Sequence, residues 1–126
     1  MRHPKNLYYH PEHTWLRVKG NKAWVGITDF AQKELGEIVY LELPQVGTEI
    51  KQGESFTKIE SVKAVSDVYG PASGEIVEIN EELLDYPDII NQDPYEQGWM
   101  LVIELADPDE IGNLLDAQAY VVSLQK

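Results

Sequence analysis

The chain has 126 residues, 43% of them hydrophobic, and 22 acids against 10 bases give a net charge of −12. That length and composition fit a single globular domain over residues 1–126 with a core of its own, not a disordered segment. The acidic balance disfavours nucleic acid, no apolar run approaches the roughly 18 residues of a membrane span, and the lack of Cys excludes disulfides, thiol nucleophiles and thiolate metal sites.

Met1–Asn6 has no apolar stretch behind it. A secretory signal or transit peptide is therefore not expected, and the expected location is cytoplasmic. Pro11 breaks any helix in the opening segment. Trp15–Lys19 alternates as a half-buried strand does, Gly20-Asn21 signals a two-residue turn, and Lys22–Ile27 returns. All three His (His3, His10, His13) fall here, without the carboxylate spacing of a metal site.

Thr28–Gly36 predicts one short helix. Thr28 or Asp29 can cap it, with Gln32 placed as in a capping box, and Gly36 can end it. Phe30 and Leu35 would dock it on a sheet. Glu37–Pro44 has apolar residues on both parities, which predicts a strand buried on both faces. Turn glycines then frame a short strand near Glu49-Ile50.

Two apolar-patterned segments follow, Ser55–Ile59 and Val65–Tyr69, joined by Glu60-Ser61-Val62-Lys63-Ala64. They predict a β-hairpin over about 55–69 with Lys63 at or beside its tip, pointing into solvent. The link lacks Asn-Gly, but a type I turn tolerates most residues. An exposed tip lysine can be a solubilising charge, or an amine that another enzyme reaches.

Pro71–Gly74 is a turn and Glu75–Ile79 a strand. Gly74-Glu75-Ile76 weakly echoes Gly47…Glu49-Ile50, which suits a pseudo-symmetric sandwich. Asn80–Asn91 is acidic and irregular, with Leu83, Leu84, Ile89 and Ile90 as packing anchors. Met100–Leu105 is the last strand. Asp107-Pro108 starts a helical segment over about 107–124, with Asp116 capping a second helix. The expected fold is mainly β: a small sandwich or flattened barrel of two antiparallel sheets with one internal helix and C-terminal helices. No phosphate loop, nucleophile elbow or trusted carboxylate pair marks an active site, so the chain reads as carrying a group, not as an enzyme.

Glu60–Ala64, followed by Ser66–Tyr69 and Pro71–Gly74, resembles the lipoyl-attachment hairpin of the glycine cleavage H-protein family. The resemblance extends upstream through Gly26–Asp29, Leu35–Val39 and Gly53–Phe56. Downstream it runs through Ile90-Asn91, Asp93–Tyr95, Gly98-Trp99 and Leu114–Asp116 to Tyr120. It implies a lipoyl-domain-like barrel-sandwich hybrid. It implies lipoic acid held by an amide on Lys63, with Glu60, Ser61, Val62, Ala64 and Asp67 guiding recognition. It implies as partners the pyridoxal-phosphate glycine decarboxylase (P protein), the aminomethyltransferase (T protein), dihydrolipoamide dehydrogenase (L protein) and a lipoylating enzyme, either a lipoate ligase or an octanoyl/lipoyl transferase. The carrier would take the aminomethyl group from the first to the second and be reoxidised by the third.

Four positions depart from the family pattern. Thr14 stands for a common Glu, Phe30 for His or Tyr, Glu96 for Gly and Gly70 for Ala. The first two fall on the side where family members shelter the loaded arm. Competing readings are an H-like lipoyl donor or redox relay, and an unmodified interaction domain. A biotin carrier is weaker, since Val62 and Ala64 stand where that family usually has Met.

Overall fold

The computed structural model describes residues 1–125. In chain order its elements are β1 (Tyr8–His10), β2 (Thr14–Lys19), β3 (Lys22–Ile27), α1 (Asp29–Leu35), β4 (Ile38–Leu41), β5 (Glu49–Ile50), β6 (Ser55–Ser61), β7 (Val65–Tyr69) and β8 (Gly74–Ile79). After these come α2 (Glu82–Asp85), α3 (Ile89–Gln92), β9 (Leu101–Leu105), a 3₁₀ helix (Pro108–Asn113) and α4 (Ala117–Leu124).

Two antiparallel sheets result, one of six strands in the order β1-β2-β3-β9-β8-β5 and one of three in the order β4-β6-β7. They do not close into a barrel. Leu16, Val25, Ile38, Ile59, Ile76 and Ile103 are each at most 1% exposed and belong to one apolar cluster drawn from both sheets. Burial of such side chains is the main favourable term in folding, about 1.5–3 kcal/mol each. A second cluster around Tyr9, Trp15, Tyr95 and Tyr120 ties β1 and β2 to α4.

The first hairpin forms as its sequence predicts. Lys19 pairs with Lys22, and Gly20 supplies the positive φ of 64° at the first central position of the turn. The two halves of the echo between Gly47…Glu49-Ile50 and Gly74-Glu75-Ile76 meet in the fold: Glu49 pairs with Glu75 and Ile50 with Gly74.

Two expectations are corrected. The segment after α1 is not buried on both faces: Val39 and Tyr40 are 47% and 49% exposed. The register shifts between Ile38 and Tyr40 while β6 advances one residue, so Val39 is the extra residue of a bulge and two neighbours face outward. The stretch 80–91 is not irregular. It makes two single-turn helices held by buried Leu83 and Ile90, although Leu84 is exposed. The helix begun at Asp107 is a 3₁₀ helix with Pro108 at its start. The cap at Asp116 is as expected, its carboxylate accepting from Ala119 N–H at 2.8 Å.

Candidate functional site

Strands β6 and β7 put Lys63 at an exposed hairpin tip. The turn is closed by Ser61 N–H donating to Ala64 C=O at 2.8 Å. No residue of the tip has positive φ, so Glu-Ser-Val-Lys-Ala needs no glycine there. The Ser61 hydroxyl oxygen accepts from Lys63 N–H at 3.3 Å and Ala64 N–H at 3.1 Å, and its proton points at Ala64 C=O. Ser61 therefore staples the turn from inside. A third tie runs from Val62 N–H to Glu37 C=O at 3.0 Å, anchoring the tip to the segment before β4.

The lysine stem crosses Gly36, where a Cβ would stand 3.5 Å from Lys63 Cε. Gly36 closes α1 at φ 78°, ψ −158°. The positive φ agrees with expectation, but the extended ψ places it in a region open almost only to glycine. Asn91 holds this crossing from below. Its Oδ1 accepts from Ile38 N–H at 2.9 Å, and its Nδ2 donates to Gln32 Oε1 and Gly36 C=O at 2.9 and 2.8 Å. The Lys63 amine has no hydrogen-bond or ion-pair partner among the described residues.

The other predicted site residues lie close by. Glu60 and Val62 are exposed, Val62 by 66%. Ala64 and Asp67 line a cavity beside the hairpin. Asp67 accepts from the Ser55 hydroxyl at 2.9 Å and sits 3.4 Å from the Lys58 ammonium. The hydrogen bond first, then the lysine, hold its carboxyl below the usual carboxylate range.

That cavity measures about 550 Å³. One wall is β7 with Ile59 of β6; the other is Phe30, Ala31, Glu34 and Leu35 of α1 with Glu12, His13, Thr14 and Ile27. Both residues that depart from the family pattern on this side, Thr14 and Phe30, line it. Its charged lining residues are carboxylates, Glu12, Glu34 and Asp67, and among the described residues no Lys or Arg lines it. The Thr14 hydroxyl, 1% exposed, has no hydrogen-bond partner among the described residues.

Two buried tyrosines fix the start of the α1 wall. Tyr95 hydroxyl accepts from Asp29 N–H at 2.9 Å and donates to Arg2 C=O at 2.6 Å. Tyr120 hydroxyl lies 2.8 Å from both Thr28 Oγ1 and His13 Nδ1. Burial pushes the Tyr120 phenol up to about 12. The expected capping box takes another form: Thr28 is the cap, accepting from Ala31 N–H, and Gln32 donates to the Asp29 carboxylate at 2.7 Å. Sequence reasoning missed Asn91 and the Tyr120 link, because each joins residues more than 50 positions apart.

The sequence matches the family described as "Glycine cleavage H-protein" over residues 7–126. It is 56% identical over 120 residues to a glycine cleavage system H protein of Brevibacillus brevis, covering 95% of each chain. It is 57% identical over 117 residues to one of Symbiobacterium thermophilum, covering 93% of this chain and 91% of that one. The fold superposes with a TM-score of 0.89 on the crystal structure of an H protein from Mycobacterium marinum, at 36% identity over 98% of this chain and 99% of that one. Family match, relatives and fold agree over nearly the whole length, and the chain belongs to the glycine cleavage H-protein family.

Proposed function

We propose that this chain, acting as one unit over residues 1–126, is the lipoylated shuttle of the glycine cleavage system, with Lys63 as its attachment site. The observation that carries the assignment of Lys63 is its placement. An amine without a partner among the described residues stands on a turn fixed from three sides, beside a 550 Å³ cavity. Lipoic acid fits this site. Lys63 is accessible for amide formation, Gly36 leaves room along the stem, and the neighbouring cavity offers apolar walls at Ile27, Leu35 and Ile59. When attached, the lipoyl group would supply a dithiolane whose disulfide is reduced as it takes up an aminomethyl group and is re-formed by a separate oxidation after that group has left.

The chain's own residues present and shelter that arm. The stapled turn limits where the tether begins, so delivery to a docked enzyme is effectively intramolecular. The acidic lining residues favour a cationic amine at the arm's end, and the apolar walls keep water from it. Around Lys63, Val39, Tyr40, Val62 and Val65 are 47–66% exposed. Glu37, Glu42 and Glu60 stand among them, also exposed. This surface, with Ser61, Ala64 and Asp67, suits recognition by a lipoylating enzyme and docking of the decarboxylase, the aminomethyltransferase and dihydrolipoamide dehydrogenase. The chain itself is a carrier, not a catalyst, and works in the cytoplasm beside these enzymes.

Intact mass and peptide mapping test the reading, on protein made with lipoate and an active lipoylating enzyme. One lipoyl group on Lys63, and none in Lys63→Arg with an unchanged fold, is the expected result. An unmodified Lys63, or glycine cleavage retained by Lys63→Arg, overturns it.

A further inference from the structure

His13 is the non-glycine residue with positive φ among the described residues, at 74°. Its N–H donates to His10 C=O at 2.9 Å, and its C=O accepts from Thr28 N–H at 3.1 Å, which holds the backbone in this uncommon conformation. Its ring lines the cavity and packs on Phe30, with centroids 4.7 Å apart.

A hydrogen-bond chain leads away from the ring. Ala31 N–H donates to Thr28 Oγ1 at 3.2 Å, Thr28 Oγ1 lies 2.8 Å from Tyr120 Oη, and Tyr120 Oη lies 2.8 Å from His13 Nδ1. Each hydroxyl has one proton, so the chain runs in one of two directions. If His13 Nδ1 donated, Tyr120 would donate to Thr28. The Thr28 proton, on a residue 0% exposed, would then have no acceptor among the described residues. A buried donor without a partner is costly. In the other direction every proton is used: Thr28 donates to Tyr120, and Tyr120 donates to His13 Nδ1. The ring is then neutral, and its proton sits on Nε2.

We propose that His13 is a positioning residue of the arm cavity, locked by the Thr28–Tyr120 hydroxyl chain as the neutral Nε2–H tautomer so that the C-terminal helix sets which hydrogen-bonding group the cavity offers. The proposal rests on the reading of the cavity as the arm's shelter. Nε2 has no protein partner among the described residues. This end of the cavity therefore offers a guest one free N–H donor, at His13 Nε2, with the Thr14 hydroxyl buried behind the lining and without a partner among the described residues. Neutrality matters as well. The groups facing His13 are Glu12 and His10 from its own segment, Glu34 and Phe30 from α1, Tyr120 from α4 and, across the cavity, Asp67 from β7. A protonated ring would compete with a cationic cargo for the three carboxylates. Burial, which pushes His13 below its ordinary 6.5 against the pull of Glu12 and Glu34, works in the same direction as the hydroxyl chain.

The test uses imidazole ¹⁵N–¹H correlation spectra of the unlipoylated full chain across a pH titration. Wild type is expected to show His13 as the Nε2–H tautomer. Tyr120→Phe keeps the ring and removes only the hydroxyl. It is expected to mix the tautomers and raise the His13 midpoint by about 0.5–1 in pH, the size of one net hydrogen bond. Thr28→Ser, which keeps a hydroxyl, is expected to behave as wild type even if stability falls. A wild-type Nδ1–H tautomer, or an unmoved midpoint in a folded Tyr120→Phe, overturns the proposal. The same spectra on lipoylated, cargo-loaded protein test the shelter separately. His13 signals that move on loading support a role toward the arm. Signals that do not move while the tautomer is locked refute that role and the sheltering reading together. Signals that move without a lock refute the proposal alone.

Discussion

Asn91 offers a quantitative test of how the lysine tip is supported. Its side chain serves Ile38 N–H, Gly36 C=O and Gln32 Oε1. Ile38 is 1% exposed and Gln32 8%, so water cannot readily replace the amide. Asn91→Ala orphans the Ile38 N–H, at about 1–3 kcal/mol, and removes two further bonds at about 0.5–1.5 each. Groups in one network do not add independently, so the expected loss is about 2–4 kcal/mol. Asn91→Asp sharpens the argument. It is nearly isosteric and still accepts from Ile38 N–H, but it turns a second oxygen toward Gly36 C=O and Gln32 Oε1. It should cost at least as much as Ala. Urea unfolding with an unchanged m-value gives the number. Both variants should also slow lipoylation, because the Gly36–Ile38 segment carries the Glu37 carbonyl that holds Val62 N–H. If Asp lies within about 0.5 kcal/mol of wild type, Asn91 only fills space and the reasoning fails.

Gly36→Ala should lose about 1–3 kcal/mol by urea unfolding, from backbone strain at φ 78°, ψ −158°; the 3.5 Å approach to Lys63 Cε is an ordinary contact and adds little. A neutral result would mean that the segment relaxes freely. Ser61→Ala should change global stability by less than about 1 kcal/mol at this exposed turn but slow lipoylation in a steady-state assay; an unchanged rate would mean that the Ser61 hydroxyl does not hold the turn in the form the enzyme reads. Stability should rise with pH across the histidine range. His3, His10 and His13 all sit below their ordinary 6.5, chiefly through burial. The unfolded chain therefore binds more protons than the folded one just below pH 6.5. The stability these groups contribute is present above 6.5 and is lost as pH falls through their folded-state values. Urea midpoints at pH 7.5 and 5.5 measure this, and equal midpoints would contradict it.

How much of this was legible depends on how local each feature is. The Lys63 hairpin and the Gly20-Asn21 turn were readable because each is decided by residues that touch their own neighbours. The bulge at Val39 was not readable: a run of apolar residues looks doubly buried unless the partner strand's register is known. The single-turn helices α2 and α3 are too short to show a period; of the four anchors the sequence offers, Leu83, Leu84, Ile89 and Ile90, only Leu83 and Ile90 are buried. The cavity draws on residues 12–14, 27, 30, 31, 34, 35, 59 and 64–68, and no pattern along the chain marks such an assembly. The departures at Thr14 and Phe30 pointed to the side where this cavity lies because a family pattern, not periodicity, exposed them. His13 counted only as one of three histidines without metal spacing. Its role in the hydroxyl chain depends on a residue 107 positions away.

That separation sets an order of events in folding. The turn that presents Lys63 is closed by Ser61 and Ala64, three positions apart. The cavity's hydroxyl chain needs residue 120 to reach residue 13. Short closures form early and long ones late, because the loop entropy must be lost before the distant contact is gained. On the proposed function, a chain caught before α4 docks would have its attachment turn but no finished shelter. A lipoylating enzyme could modify such an intermediate, whereas safe carriage of a labile cargo would have to wait until the C-terminal helix is in place. Pulsed hydrogen exchange should find the Ser61 amide protected before those of Tyr9 and Leu115, which bond each other's carbonyls at 2.8 Å where the chain leads into α4, and the reverse order would disprove the sequence of events.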